Sequence, residues 1–187
     1  MVDHLHGLRP DIGIACLYAD YTDQHNQTLA HILGSFLHQL LTTNREPISG
    51  EVIEKLQNIQ YMRGKVGTED ILAMLKLRLH QLKCAFICID GIDELGSRVR
   101  QQLLNALKEL STNNNMRLFL TGRGHVESVV RRHFQVAKRY TVEISANEQD
   151  IREFVRQRIN DDPNPEAIDK VLAKDIEDVL IEKSQGM

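Results

Sequence analysis

The sequence is poor in several features that mark specialised proteins. Among 187 residues it has no tryptophan, four prolines and three cysteines, and aromatic residues make up 5%. So few cysteines exclude a small domain stabilised by disulfide bonds. The three cysteines lie in apolar runs, as buried free thiols do: Cys16, Cys84 and Cys88. A hydrophobic fraction of 42% and a charged fraction of 26% match an ordinary globular domain, which excludes wholesale disorder and a fibrous repeat.

An excess of one charge sign and a long apolar run are also lacking. The 23 Lys and Arg residues against 26 Asp and Glu give a net charge of −3, so nucleic acid and anionic membranes are not expected partners. No apolar stretch approaches the roughly 20 residues that span a bilayer. Residues 1–10 lack the basic-then-apolar order of a signal peptide. We therefore predict a cytoplasmic protein.

Short apolar segments alternate with amphipathic ones along most of the chain. Buried strands are predicted at residues 12–19, 84–89, 116–121 and 140–144. Helices are predicted at residues 29–41, 52–59, 68–82, 99–110 and 126–134. Asn26 or Thr28 is expected to cap the first helix, and Ser145 and Glu148 form an S-x-x-E capping box for a further one. Such alternation favours an α/β fold, with a mostly parallel sheet flanked by helices in three layers.

Three carboxylates crowd the end of the second predicted strand. The apolar run is followed by Asp90, Gly91, Ile92, Asp93 and Glu94. Ligand-binding groups of a parallel α/β sheet gather at such strand ends. Asp90 could hold Mg²⁺ through its water shell, while Asp93 or Glu94 could orient or deprotonate an attacking water, which is the Walker B pattern of nucleotide hydrolysis. The alternative is a solvated acidic turn that caps the next helix.

The end of the third predicted strand carries a matching group. Thr121, Gly122 and Arg123 follow its apolar run. An arginine at this position can bond a terminal phosphate through two N–H groups and so report whether the phosphate is present. The alternative is a surface arginine that pairs with Asp93 or Glu94.

Five segments in this order resemble a known family. They are residues 11–28 (DIGIACLYADYTDQHNQT), the helix at 29–41, FICIDGIDEL, RLFLTGRG and VEISANEQDIREFVRQRI. Together they resemble the NACHT-type domain of the STAND class of P-loop NTPases, in the form found in fungal proteins with ankyrin or WD repeats and in nephrocystin-3-like N-terminal regions. The resemblance covers nearly the whole chain and implies a P-loop NTPase-like sheet.

The resemblance implies roles for the residues at the two strand ends. Asp90 is the magnesium aspartate, and Asp93 and Glu94 are the acidic catalytic pair. Thr121 and Arg123 sense the terminal phosphate. The implied cofactors are Mg²⁺ and ATP or GTP. The implied function is a switch in which nucleotide controls oligomerisation of a larger regulator of self/non-self recognition or cell death, with other domains or further copies as partners.

The sequence departs from the family at the phosphate loop. The pattern G-x-x-x-x-G-K-[ST] does not occur in these 187 residues, since Gly64 and Lys65 are followed by Val66. Gly122 replaces the usual serine. We therefore predict weak nucleotide binding or none, and a chain that is inactive by itself. The alternatives are a non-catalytic interaction or oligomerisation domain, and a magnesium-dependent hydrolase that uses the same three carboxylates.

The phosphate-loop strand of the family would stand before Asp11, so the sheet is expected to be incomplete. Two prolines, Pro163 and Pro165, interrupt the pattern after Asp161, and an acidic helical segment follows. This predicts three parts: a non-family segment at 1–10, a partial NACHT-like core at 11–160 and the start of a helical subdomain at 161–187.

A basic cluster surrounds Phe134. It consists of Arg131, Arg132, His133, Lys138 and Arg139. The cluster could contact RNA or a phosphate. Basic residues also stabilise a helix C-terminus by offsetting its dipole, and we interpret the cluster as a solvated helix end.

Overall fold

The computed structural model describes residues 12–23, 26–42, 47–61, 66–112, 115–135, 140–144, 147–164 and 168–184. It divides the chain into two compact units, Met1–Ala137 and Lys138–Met187. The division into parts at residues 1–10, 11–160 and 161–187 stays a prediction. Several predictions fall outside the described residues, namely those on residues 1–10, Gly64, Lys65, Lys138, Arg139 and Ser145.

The first unit alternates strands and helices. Its described strands are β1 (Ile12–Tyr18), β2 (Cys84–Asp90) and β3 (Met116–Leu120). Its described helices are α1 (Leu29–Thr42), α2 (Gly50–Tyr61), α3 (Thr68–Gln81), α4 (Ser97–Leu110) and α5 (Glu127–His133). Thr28 caps α1, because its Oγ1 accepts the N–H of His31 at 3.3 Å. These bounds closely confirm the predicted elements, and none of the described helices is long and apolar enough to cross a bilayer.

The three strands form one parallel sheet in the order β1-β2-β3. Ile87 on the central strand is level with Ala15 on one side and Leu118 on the other. The prediction of an α/β fold with a parallel sheet flanked by helices is confirmed. Because parallel strands end at the same edge of a sheet, the register brings the residues that follow β2 and β3 together.

One face of the sheet carries the core. Ala15, Ile87 and Ile89 are buried on this face, which they share because alternate residues of a strand point the same way. They cluster with apolar side chains of α1, α3 and α4: Leu33, Phe36, Leu40, Met74, Leu75, Leu79, Leu103, Leu104 and Leu107. The apolar faces of α1, α3 and α4 are therefore buried in the core, as their spacing indicated.

The outer edge of β1 is closed by a side chain. Gln39 on α1 accepts the N–H of Cys16 through Oε1 at 2.8 Å and donates to the Cys16 carbonyl through Nε2 at 2.9 Å. Its amide thus makes the two hydrogen bonds that a further strand would make. An unpaired edge is a site of aggregation, and this contact blocks it at one residue.

Arg78 on α3 is fully buried. Its Nε donates to the Leu40 carbonyl at 3.1 Å, and its Nη1 donates to the Pro47 carbonyl at 3.2 Å and to Gln81 Oε1 at 3.1 Å. Leu40 lies in the last turn of α1, where carbonyl groups have no partner within the helix. Arg78 therefore satisfies the end of α1 and places a positive charge at its C-terminus, where the helix dipole favours one.

The predicted strand at residues 140–144 is wrong. This segment is irregular, and Tyr140, Val142 and Ile144 are 80%, 79% and 90% exposed. Alternating apolar residues form a strand only where a neighbouring strand accepts their hydrogen bonds and covers their side chains. The strands of the described residues are β1, β2 and β3, and residues 140–144 are not among them.

The second unit contains two described helices that pack together, α6 (Glu148–Asn160) and α7 (Lys170–Ser184). Asn147 caps α6, because its Oδ1 accepts the N–H of Asp150 at 2.8 Å. The predicted capping box is therefore wrong: Glu148 is the first residue of the helix rather than its third. The helix predicted after residue 161 corresponds to α7.

An ion-pair cluster joins the two helices of the second unit. Glu177 on α7 is buried and accepts from Nε and Nη2 of Arg156 at 2.9 and 3.1 Å. Arg152 donates to Glu177 at 3.3 Å and to Asp178 at 3.1 Å. The hydrogen bonds from Arg156 are the main cause of a lowered pKa of the Glu177 carboxyl.

Candidate functional site

The ends of β2 and β3 are joined through one hydroxyl group. Thr121 Oγ1 donates to Asp90 Oδ1 and accepts the N–H of Gly91 at 2.9 Å. Backbone bonds lie on either side of it, from Thr121 N–H to the Ile89 carbonyl at 2.9 Å and from Ile92 N–H to the Thr121 carbonyl at 3.0 Å. The predicted residues of the two strand ends therefore form one connected site.

The acidic segment turns sharply after the strand. Gly91 has φ of 71°, a left-handed conformation that glycine adopts without the cost other residues bear. The turn leads into a short 3-10 helix, Ile92–Glu94, in which Ile92 is buried and anchors the segment to the core. The glycine therefore allows Asp90 to stay at the strand end while Asp93 and Glu94 lie on a separate turn.

Asp93 is engaged with the loop after β3. Its Oδ1 accepts the N–H of Arg123 at 3.3 Å, and its Oδ2 lies 3.5 Å from Arg123 Nε. The Asp93 side chain is only 8% exposed, whereas that of Arg123 is 81% exposed. The Asp93 carboxylate thus contacts the backbone N–H and the Nε of Arg123, while most of the arginine side chain is exposed to solvent.

Glu94 is connected to the end of β1 instead. Its Oε2 accepts the N–H of Tyr21 at 3.3 Å, and the Asp90 carbonyl accepts the N–H of Ala19 at 2.9 Å. Beside this contact, Asp20 accepts the hydroxyl and the N–H of Thr22 at 2.7 and 2.8 Å, and these bonds lower the pKa of Asp20. All three strand ends therefore contribute polar groups to one edge of the sheet.

Gly122 lies where the resemblance leads one to expect serine. A Cβ atom at this position would lie 3.0 Å from Ile92 Cγ2, 3.1 Å from Val126 Cγ2 and 3.3 Å from Asp93 Oδ1. These distances are tighter than ordinary van der Waals contact. The glycine therefore permits the close approach of the β3 loop to the acidic turn.

The site offers oxygen ligands but no metal cage. Among the described residues, no group of three or more His, Cys, Asp and Glu side chains is placed to hold a metal ion. Asp90 is exposed, and within the described part of the chain only its Oδ1 accepts a hydrogen bond. Mg²⁺ is usually bound by one or two carboxylates together with water and substrate phosphates. The donor set fits an ion shared with phosphates rather than one held by the protein alone.

Sequence reasoning missed two contributors to the site. Arg100 on α4 donates to the carbonyl groups of Asp93 and Leu95 at 3.2 and 3.4 Å, so it holds the acidic turn against the helix. The Tyr21 amide binds Glu94 from a segment 73 residues away. Only the order of the strands places these groups together. The one signal in the sequence was Asp20, a polar residue at the end of the first strand, which could have indicated that this strand end also lies at the site.

The fold and the site define a class of protein: a mixed α/β domain whose parallel sheet ends in an acidic turn joined to the neighbouring strand. The nephrocystin 3 N-terminal family matches residues 1–123 of the chain. The chain belongs to this family. No curated protein matches the sequence.

Among solved structures, the chain is similar to a Walker-type ATPase of Pyrococcus abyssi, with 13% sequence identity and a TM-score of 0.39. The match covers 89% of this chain and 60% of the ATPase chain. The chain thus spans less than two thirds of the ATPase that it matches.

Proposed function

We propose that the chain is a NACHT-like domain of a STAND regulator. In this proposal the domain has the acidic residues after β2 and the phosphate-sensing residues after β3, and it binds nucleotide weakly. One observation carries the proposal: the Thr121 hydroxyl joins Asp90 to the strand end that bears Arg123. A Walker B carboxylate and a phosphate sensor need this adjacency, because they act on the same phosphate.

Each residue has a role in this proposal. Asp90 would hold Mg²⁺ through water, and the ion would neutralise negative charge on the phosphates. Arg123 would contact the terminal phosphate with its exposed guanidinium, and Asp93 would position Arg123. Asp93 and Glu94 stay the candidates for orienting an attacking water. Thr121 fixes one oxygen of the exposed Asp90 carboxylate.

Weak binding follows from the groups that these 187 residues do not supply. In a phosphate loop, successive backbone N–H groups and a lysine surround the phosphates. Without them, one exposed arginine and a water-mediated ion are left to bind the nucleotide, and exposed ion pairs contribute little. Control of oligomerisation in a larger regulator of self/non-self recognition or cell death is part of the same proposal.

Magnesium-ATP and magnesium-GTP titrations followed by two-dimensional amide NMR test the proposal. We expect millimolar affinity, with shifts concentrated at Gly91, Thr121 and Arg123. Asp90→Asn should abolish these shifts. Glu109→Gln, at the opposite end of α4, is the matched control and should leave them unchanged. Micromolar affinity that Asp90→Asn removes would contradict weak binding, and no shift at saturating nucleotide would contradict the site itself.

A second candidate is a non-catalytic interaction domain. The observation that favours it is the mutual satisfaction of the polar groups, since Asp93 pairs with Arg123 and Asp90 accepts from Thr121. In this case the strand ends are a structural network. Asp90→Asn would then lower stability without changing any nucleotide-dependent signal, which the same NMR experiment measures.

A further inference from the structure

A groove of about 460 Å³ lies between α4 and α5. Three basic side chains line it, Arg100 and Lys108 from α4 and Arg132 from α5, together with His133. Two side-chain amides, Gln101 and Asn105, lie between the basic positions of α4. No Asp or Glu is among the described residues that line the groove, so the groove offers cations without a competing carboxylate in its own wall.

Two cations of the groove are available to a ligand, whereas Arg100 donates to the Asp93 and Leu95 carbonyls. Lys108 and Arg132 are exposed, and no carboxylate among the described residues pairs with either. The neighbouring Arg131 differs, because its Nη2 is bonded to Glu127 at 2.7 Å. The described members of the basic cluster around Phe134 are thus a paired arginine outside the groove and an arginine and a histidine that line it.

We infer that this groove binds an acidic polypeptide segment of a partner protein. Lys108 on α4 and Arg132 on α5 line the groove from its two helices, so carboxylates of one segment can pair with both cations. Gln101 and Asn105 line the α4 side, where their amides can bond the peptide backbone.

Other anions fit less well. A small-molecule site is mostly apolar, whereas this groove has one valine among its lining residues. Single-stranded nucleic acid is bound by stacking on aromatic side chains, and the described lining residues include no Phe, Tyr or Trp. A short acidic segment needs no stacking surface, and its carboxylates can pair with exposed cations.

Fluorescence anisotropy with a labelled decaglutamate peptide tests the inference. We expect binding to the full chain at low salt that weakens as salt is added. Arg132→Gln and Lys108→Gln should each weaken it by about threefold, and the double variant by about tenfold. Arg131→Gln is the matched control, on the same helix and outside the groove, and should change the affinity little. Circular dichroism confirms that each variant is folded.

Three outcomes would overturn the inference. One is no binding of the peptide to the wild-type chain. Another is an equal loss for Arg131→Gln and Arg132→Gln, which would indicate general attraction to a basic surface. The third is tighter binding of a thymidine decamer or of inorganic phosphate than of the peptide under the same conditions, which would assign the groove to phosphate ligands. None of these outcomes depends on whether the strand ends bind nucleotide.

Discussion

The side-chain hydroxyl of Thr121 donates to Asp90 while it accepts the N–H of Gly91. One small side chain therefore joins the ends of two adjacent strands, beside the backbone hydrogen bonds between Thr121 and Ile89 and between Ile92 and Thr121. It contributes to the relative position of the Asp90 carboxylate and the loop that carries Arg123.

Thr121→Val removes the hydroxyl and keeps the shape of the side chain. It leaves the Gly91 N–H and one Asp90 oxygen without their partner, so we expect a loss of about 1–2 kcal/mol in the free energy of unfolding. Urea denaturation measures it. Thr121→Ser keeps the hydroxyl and should lose less. A larger loss for Thr121→Ser than for Thr121→Val would show that the methyl group, and not the hydrogen bonds, stabilises the turn.

Gln39→Leu should open the edge of β1. The N–H and the carbonyl of Cys16 lose their partners, which is expected to cost about 1–2 kcal/mol of stability and to speed hydrogen exchange of the Cys16 amide. Gln39→Glu keeps an acceptor for the N–H and should protect that amide better. Unchanged exchange in Gln39→Leu would contradict a role in closing the edge.

Arg78→Met should be among the more destabilising single changes in the first unit. The Leu40 and Pro47 carbonyls would each lose a charged donor, and we expect a loss of about 3 kcal/mol, measured by thermal and urea unfolding. Arg98→Met, at an exposed position at the start of α4, is the control and should change stability by less than about 0.5 kcal/mol. Similar losses for both variants would refute the capping role of Arg78.

The second unit should lose stability in acid. The bonds from Arg156 hold the folded-state pKa of the Glu177 carboxyl below its ordinary value of 4.5. A group with a lowered folded-state pKa stabilises the fold above its unfolded pKa, and this contribution disappears as pH falls through the lowered value. Glu177→Gln should therefore flatten the acid side of the stability curve, as followed by circular dichroism from neutral pH downward. Glu182→Gln, exposed on the same helix, should leave the curve unchanged.

Cys88 should be unreactive while the protein is folded. Burial, with a smaller effect of the neighbouring Cys16, raises the pKa of the Cys88 thiol to about 11, so little thiolate exists at neutral pH. We expect iodoacetamide at pH 8 to leave Cys88 unmodified in buffer and to modify it in urea, as peptide mapping by mass spectrometry would show. Rapid modification in buffer would contradict its burial.

The strands β1 to β3 and their helices were predictable because each has a marked local pattern of apolar residues. The run from Cys84 to Ile89 is short and apolar, as buried strands are, and Leu33, Phe36 and Leu40 recur at helical spacing. The segment at 140–144 has an equally clear pattern and forms no strand. A strand depends on hydrogen bonds to another strand, and the pattern of one segment holds no information about whether that neighbour is present.

The sequence by itself determined that Asp90, Asp93, Glu94, Thr121 and Arg123 follow strands of one parallel sheet, because chain order and apolar runs set the strand ends. Only the tertiary structure decided how they pair: Asp93 with Arg123, Glu94 with the Tyr21 amide, and Asp90 with Thr121. Only the tertiary structure decided, too, that Arg132 lines the groove between α4 and α5 while its neighbour Arg131 pairs with Glu127. Hydrogen bonds and ion pairs act over a few ångströms, so residues far apart in the sequence become partners only through the packing of the elements that carry them.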